Sequence, residues 1–241
     1  RRGYDAITVW SEQQVAYADQ LAQRWVPLAI ITSAGLSLFL ELAVIRWQTT
    51  VFPLFSLYKN FGLLACFAGL GLGYALAGRK AIPLFFSIPL LFWQFLILLA
   101  LRFGLGELRL RSIWATPGAE QLNMSFDTTV EPWSIAAIYF LLGVVFLLTA
   151  LIFIPIGQLC GRLMRRCKEL PAYGYNLLGS LAGIVLVLAV SYLWSPPALW
   201  FLVCCLVLLL FQANNKKALL AGAVATILSM LMLLWPMGLE K

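Results

Sequence analysis

The chain has 241 residues, 62% of them hydrophobic and 11% charged, with a net charge of +7. Soluble domains average roughly 45–50% apolar and about 25% charged residues, and a water-soluble chain of this size would run out of interior before hiding so much apolar surface. The lysines and arginines stand at the ends of apolar runs and form no basic stripe, which excludes a nucleic-acid reader and suits anionic lipid headgroups.

The sequence therefore predicts an all-α fold, a polytopic membrane bundle of about seven transmembrane helices behind an N-terminal interfacial amphipathic helix. Residues 1–26 form the interfacial segment. Ser11 with Gln14 reads as a capping box. Tyr17, Leu21 and Trp25 then fall near one helical face, with Glu12 and Asp19 on the other, a pattern that suits the membrane interface or a docked amphipathic helix. The chain begins at Arg1, so its visible start is expected not to be the translational start, and residues 1–25 are too polar for the core of a signal peptide.

The bundle occupies residues 27–235. A hydrocarbon core of about 30 Å takes roughly 20 helical residues, and seven stretches meet or approach that length: Pro27–Arg46, Phe61–Gly78, Ile82–Leu101, Ser134–Ile156, Tyr173–Trp194, Pro197–Phe211 and Ala218–Trp235. All should be helical, because an open strand leaves its backbone unpaired in lipid. Pro89 predicts a kink in the third, whereas Pro83 and Pro155 read as end punctuation. The one long extramembrane loop, residues 102–133, is mildly acidic and carries the turn pair Pro117-Gly118. A short tail, 236–241, follows the last span. Aromatics at span ends (Trp25, Trp47, Tyr58, Trp133, Trp194, Trp235) read as depth anchors.

With seven spans, eleven lysines and arginines fall on one side and six on the other. The positive-inside rule then puts the N-terminus in the cytoplasm of a cell (inner) membrane and the C-terminus outside.

There is no histidine, which excludes imidazole-ligated haem, most bacteriochlorophyll sites and the usual zinc catalysis. The five cysteines show no metal spacing and read as structural. No catalytic residue, metal ligand or cofactor is expected. Gly69, Gly73 and Ala77 recur every four residues in the second span, a ridge for close helix packing; the glycine run there lacks the strand that a nucleotide loop needs. Gly179 and Gly183 make a second such pair in the fifth span, where Asn176 can hydrogen-bond across the interface, with a ligand contact as the other reading.

Glu41 is the only acidic residue inside an apolar run. Burying its ionised carboxylate costs about 2–3 kcal/mol or more on insertion scales, so it should face protein, pair or stay protonated. Arg46 lies five residues on, about 140° around the helix, so the two cannot share a face. Arg46 reads as a snorkelling residue, and Lys59 is another possible partner for Glu41.

Ser33-Ala34-Gly35 running through Glu41-Leu42-Ala43-Val44-Ile45-Arg46 is similar to the opening helix of the membrane-embedded spermidine-synthase-like proteins. The glycine-rich second span, Pro155-Ile156-Gly157 with Gly161-Arg162, and Tyr175-Asn176-Leu177-Leu178-Gly179-Ser180 fit the same pattern in the same order, over about Pro27 to Trp194. The resemblance implies a membrane module whose family members often carry a soluble, Rossmann-like aminopropyltransferase domain after the membrane part. Any such domain would lie outside these residues, and the resemblance places catalysis on none of them.

The sequence thus points to a non-catalytic membrane module, either the anchor of a synthase-like protein or a structural subunit of a larger membrane complex. Its expected partners are the lipid bilayer and other membrane subunits or a missing soluble domain. A small cation or polyamine transporter using Glu41 is the alternative.

Overall fold

The computed structural model describes residues 19–51, 55, 59–79, 82–104 and 132–239. Among them every long regular element is a helix: α1 Val26–Val51, α2 Lys59–Ala75, α3 Ser87–Gly104, α4 Pro132–Met164, α5 Glu169–Tyr192, α6 Pro197–Leu210 and α7 Lys216–Leu239. Single 3-10 turns, Gln23–Trp25 and Leu84–Phe86, lead into α1 and α3. The capping box, Tyr17 and the loop with Pro117-Gly118 lie outside the described residues, as does the C-terminal tail apart from residues 236–239 of α7.

Each of the seven apolar runs forms one helix, because a chain in an apolar solvent satisfies its backbone by i to i−4 bonds. Length separates them. Four helical stretches, Gln23–Val51, Tyr139–Met164, Glu169–Tyr192 and Lys216–Leu234, are long and apolar enough to cross a bilayer. The other three are shorter apolar helices; α6, with 14 residues, is only about 21 Å long.

The helix ends follow local chemistry. Asn215 Oδ1 accepts the Lys217 and Ala218 amides at 3.1 and 3.2 Å and so caps α7. Pro197 stands at the first position of α6, where a missing N–H costs nothing. At the end of α5, Trp194 adopts φ 51° and Ser195 N donates back to Val190 O at 3.3 Å. That is a Schellman closure with tryptophan where glycine is usual.

Two proline expectations are reversed. Pro89 falls in the first turn of α3, where amides are naturally unpaired, so it starts the helix instead of bending it. Pro155 lies inside α4, which runs on to Met164. The Ser87 hydroxyl donates to Ile152 O at 2.9 Å, serving the backbone in the turn that this proline opens.

Consecutive helices run antiparallel. The end of α2, the starts of α3, α5 and α7 and the end of α4 gather at one end of the bundle with residues 19–25. Contacts fix this: Gln158 bridges Leu76 O and Ile82 N at 2.8 and 2.6 Å, Arg166 donates to Leu21 O at 2.7 Å, and α7 touches the Leu84–Phe86 turn. At the opposite end, α1, α3 and α6 meet through Trp47, Phe95 and Phe201, whose rings lie 4.7–6.0 Å apart in edge-to-face arrangements. Trp47 is therefore a core residue, 3% exposed, and not the interfacial anchor that its position at a span end suggests. Trp25 and Trp194 are exposed, and the side chains of Tyr58, Trp133 and Trp235 are outside the described residues.

The two most extensive interfaces are α2 on α4 and α1 on α5. α1 is the most buried of the long helices and α5 the most exposed.

Candidate functional site: a buried carboxylate between two glycine seams

Both large interfaces are glycine seams. A Cβ on Gly69 would run into the Ala150 carbonyl and stand 2.8 Å from Phe153 Cβ; one on Gly73 would stand 2.7 Å from Gln158 N and 2.9 Å from Gly157 Cα. The facing glycines reciprocate, since a Cβ on Gly157 would meet Leu70 O at 2.6 Å and one on Gly161 would meet Ala77 Cβ at 2.9 Å. Ala77 sits just past the end of α2, so the seam continues into the turn. In the second seam, Gly179 lies against Ile31, where a Cβ would stand 2.8 Å from its Cα, and Gly183 against the Gly35 carbonyl. Backbones approach this closely only where side chains are absent.

α1 lies in the second seam and also packs on α2 and α4 of the first. On it, Ser33, Ser37, Glu41 and Gln48 are spaced by four, four and seven residues, which puts them within about 80° of one another around the axis. All four are buried. Ser33 and Ser37 donate to their own helix, to Ile30 O and Ala34 O at 3.1 and 2.8 Å. Glu41 is different. Near the middle of α1 and 1% exposed, its Oε2 has no hydrogen-bond partner among the described residues. Its ionisable neighbour is Cys66, fully buried on α2.

Two turns further along the same face begins a neutral polar node. Gln48 Nε2 and Gln94 Nε2 both donate to Thr149 Oγ1, at 3.2 and 3.0 Å, and Thr149 Oγ1 donates to Val145 O at 2.8 Å. One hydroxyl thus joins α1, α3 and α4. Gln94 Oε1 has no partner among the described residues.

The structure separates the other candidates. Arg46 is exposed and turned away from Glu41; its guanidinium lies 4.7 Å over the Trp200 ring and donates to Ser191 Oγ, tying α1 to α5 and α6. The Lys59 side chain is outside the described residues. Asn176 Nδ2 faces Tyr74 Oη at 3.0 Å, Cys160 Sγ at 3.3 Å and Met164 Sδ at 3.4 Å, joining α5 to α2 and α4 near the end that carries Arg79 and Arg162. All five cysteines are free thiols. Among the described residues no group of three histidine, cysteine, aspartate or glutamate side chains could hold a metal ion.

Sequence reading missed Gln48, Gln94, Thr149 and Gln158. A signal existed in the seven-residue steps Glu41 to Gln48 and Ser87 to Gln94, which put neutral polar groups on one helical face inside apolar runs. No protein-family model, curated protein or solved structure matches the chain.

Proposed function

We propose that the chain is a non-catalytic integral membrane module, either the membrane anchor of a spermidine-synthase-like protein or a structural subunit of a larger membrane complex. All seven helices cross the bilayer in this reading, the short ones close to upright. The antiparallel alternation of consecutive helices supports that count, and the cation-rich end then faces the cytoplasm.

The observation that carries the proposal is the pair of glycine seams. Backbone locked against backbone at Gly69, Gly73, Gly157, Gly179 and Gly183 favours fixed helix pairs. Alternating access requires one group of helices to move against another, which such seams oppose. The outward apolar face of α5 is left for lipid or a neighbouring subunit.

One observation favours a second reading. Glu41, buried near mid-helix with a carboxylate oxygen that has no hydrogen-bond partner among the described residues, is what a small cation or polyamine carrier would use. Glu41→Gln, which keeps the side-chain shape and removes the charge, separates the two. With the full chain reconstituted in vesicles, polyamine uptake is expected to stay at the empty-vesicle background in both wild type and variant. Uptake by the wild type that falls more than tenfold in Glu41→Gln, with the variant still eluting as one detergent-solubilised species, would replace the module reading with transport.

A further inference from the structure

We propose that the corner between α4 and α5 is a headgroup site for an anionic phospholipid. The end of α4 and the start of α5 bring Arg162, Arg165, Arg166 and Lys168 together within seven residues. Folding adds Arg79, because the α2–α3 turn lies against the same surface. Arg162 Nη2 donates to Arg79 O, and the Arg165 guanidinium rests on Gly78, where any side chain would displace it. Arg166 is committed to Leu21 O. The acids at this end among the described residues are Asp19 and Glu169, so five cations in one corner face two carboxylates.

Arg79, Arg165 and Lys168 are exposed. Arg162 is half-buried, and its Nε has no hydrogen-bond partner among the described residues. Three exposed cations, Arg79, Arg165 and Lys168, around the half-buried Arg162 guanidinium fit a phosphate oxygen set. Free phosphate and a lipid headgroup share that chemistry; the surface below the corner selects the lipid. Leu170, Tyr173 and Leu177 follow at three- and four-residue steps, 83%, 62% and 58% exposed, so an apolar track descends α5 directly from the basic corner. Tyr173 lies near the start of α5, beside the basic corner, and aromatic side chains of this kind favour the headgroup level. Phosphate on the corner and acyl chains along α5 satisfy both surfaces with one molecule.

The inference rests on membrane residence, which fails separately if the chain stays monodisperse without amphiphile. The test uses the full chain in a non-ionic detergent, with phosphatidylglycerol, phosphatidylcholine of the same acyl chains, or inorganic phosphate added, and thermal midpoint as the readout. Phosphatidylglycerol is expected to stabilise saturably, whereas the other two leave the midpoint unchanged. Each exposed cation contributes roughly fivefold in affinity, so R165Q/K168Q should raise the half-saturating lipid concentration by about 25-fold. K216Q/K217Q, at the same end but on α7, should change it less than twofold. Equal stabilisation by phosphatidylcholine, saturation by inorganic phosphate alone, or equal loss in the two double variants would overturn the site.

Discussion

Gly73→Leu is expected to be the most damaging single substitution in the bundle, lowering stability by about 3 kcal/mol or more, beyond the usual cost of overpacking. A Cβ there meets three backbone atoms of α4: the Ile154 carbonyl oxygen, Gln158 N at 2.7 Å and Gly157 Cα at 2.9 Å. No rotamer change can relieve that crowding, so α2 must back away from α4 along the whole seam. Gly183→Leu should do the same to α1 and α5, since its Cβ would stand 2.5 Å from the Gly35 carbonyl oxygen. The matched controls are Gly71→Ala and Gly143→Ala, where nothing lies within 4 Å of the added carbon. Those should be neutral, or stabilising by up to about 1 kcal/mol because alanine is the better helix former. Thermal midpoints of the detergent-solubilised chain decide it: a loss of roughly 10 °C for the seam variants against none for the controls. Comparable behaviour of Gly73→Leu and Gly71→Ala would remove the seam from the account of the fold.

The contrast between those glycines marks what the sequence makes legible. Period-four spacing identified Gly69, Gly73, Gly179 and Gly183 as packing positions, because the spacing is a property of one helix. Which helix each ridge meets depends on tertiary arrangement, so Gly157, Gly161 and Ile31 could not be assigned as partners in advance. The same boundary explains the prolines. Pro155 reads from the sequence as a stop, whereas in the fold α4 runs on through it to Met164, with Ser87 of another helix bonded to Ile152 O in the preceding turn. Trp47 sits where an interfacial anchor would, yet Phe95 and Phe201 enclose it. Glu41 stood out because ionised groups dominate the energetics of insertion. The neutral amides two turns away carry less cost, and their significance lies in a tertiary partner, Thr149, that no single helix reveals.

Thr149→Val should be the second most costly change, about 2–4 kcal/mol, although it preserves side-chain shape. The hydroxyl is the acceptor for both Gln48 and Gln94, so its loss strands two buried amides at roughly 1–3 kcal/mol each, a cost moderated where an unfolded chain in the membrane also finds partners. Gln94 fares worse, because its Oε1 already lacks a partner among the described residues. A cost that comes from stranded donors, and not from lost packing, must be reversible by removing the donors. The triple variant Q48M/Q94M/T149V replaces the two amides with unbranched apolar methionines of similar volume and the threonine with an apolar side chain of its own shape, and should recover most of the loss, because exchanging every partner for an apolar group is close to neutral. Thermal midpoints of the single and triple variants measure the recovery. A triple variant no more stable than Thr149→Val would mean that α1, α3 and α4 are held there by shape alone, with Trp47, Phe95 and Phe201 carrying the junction.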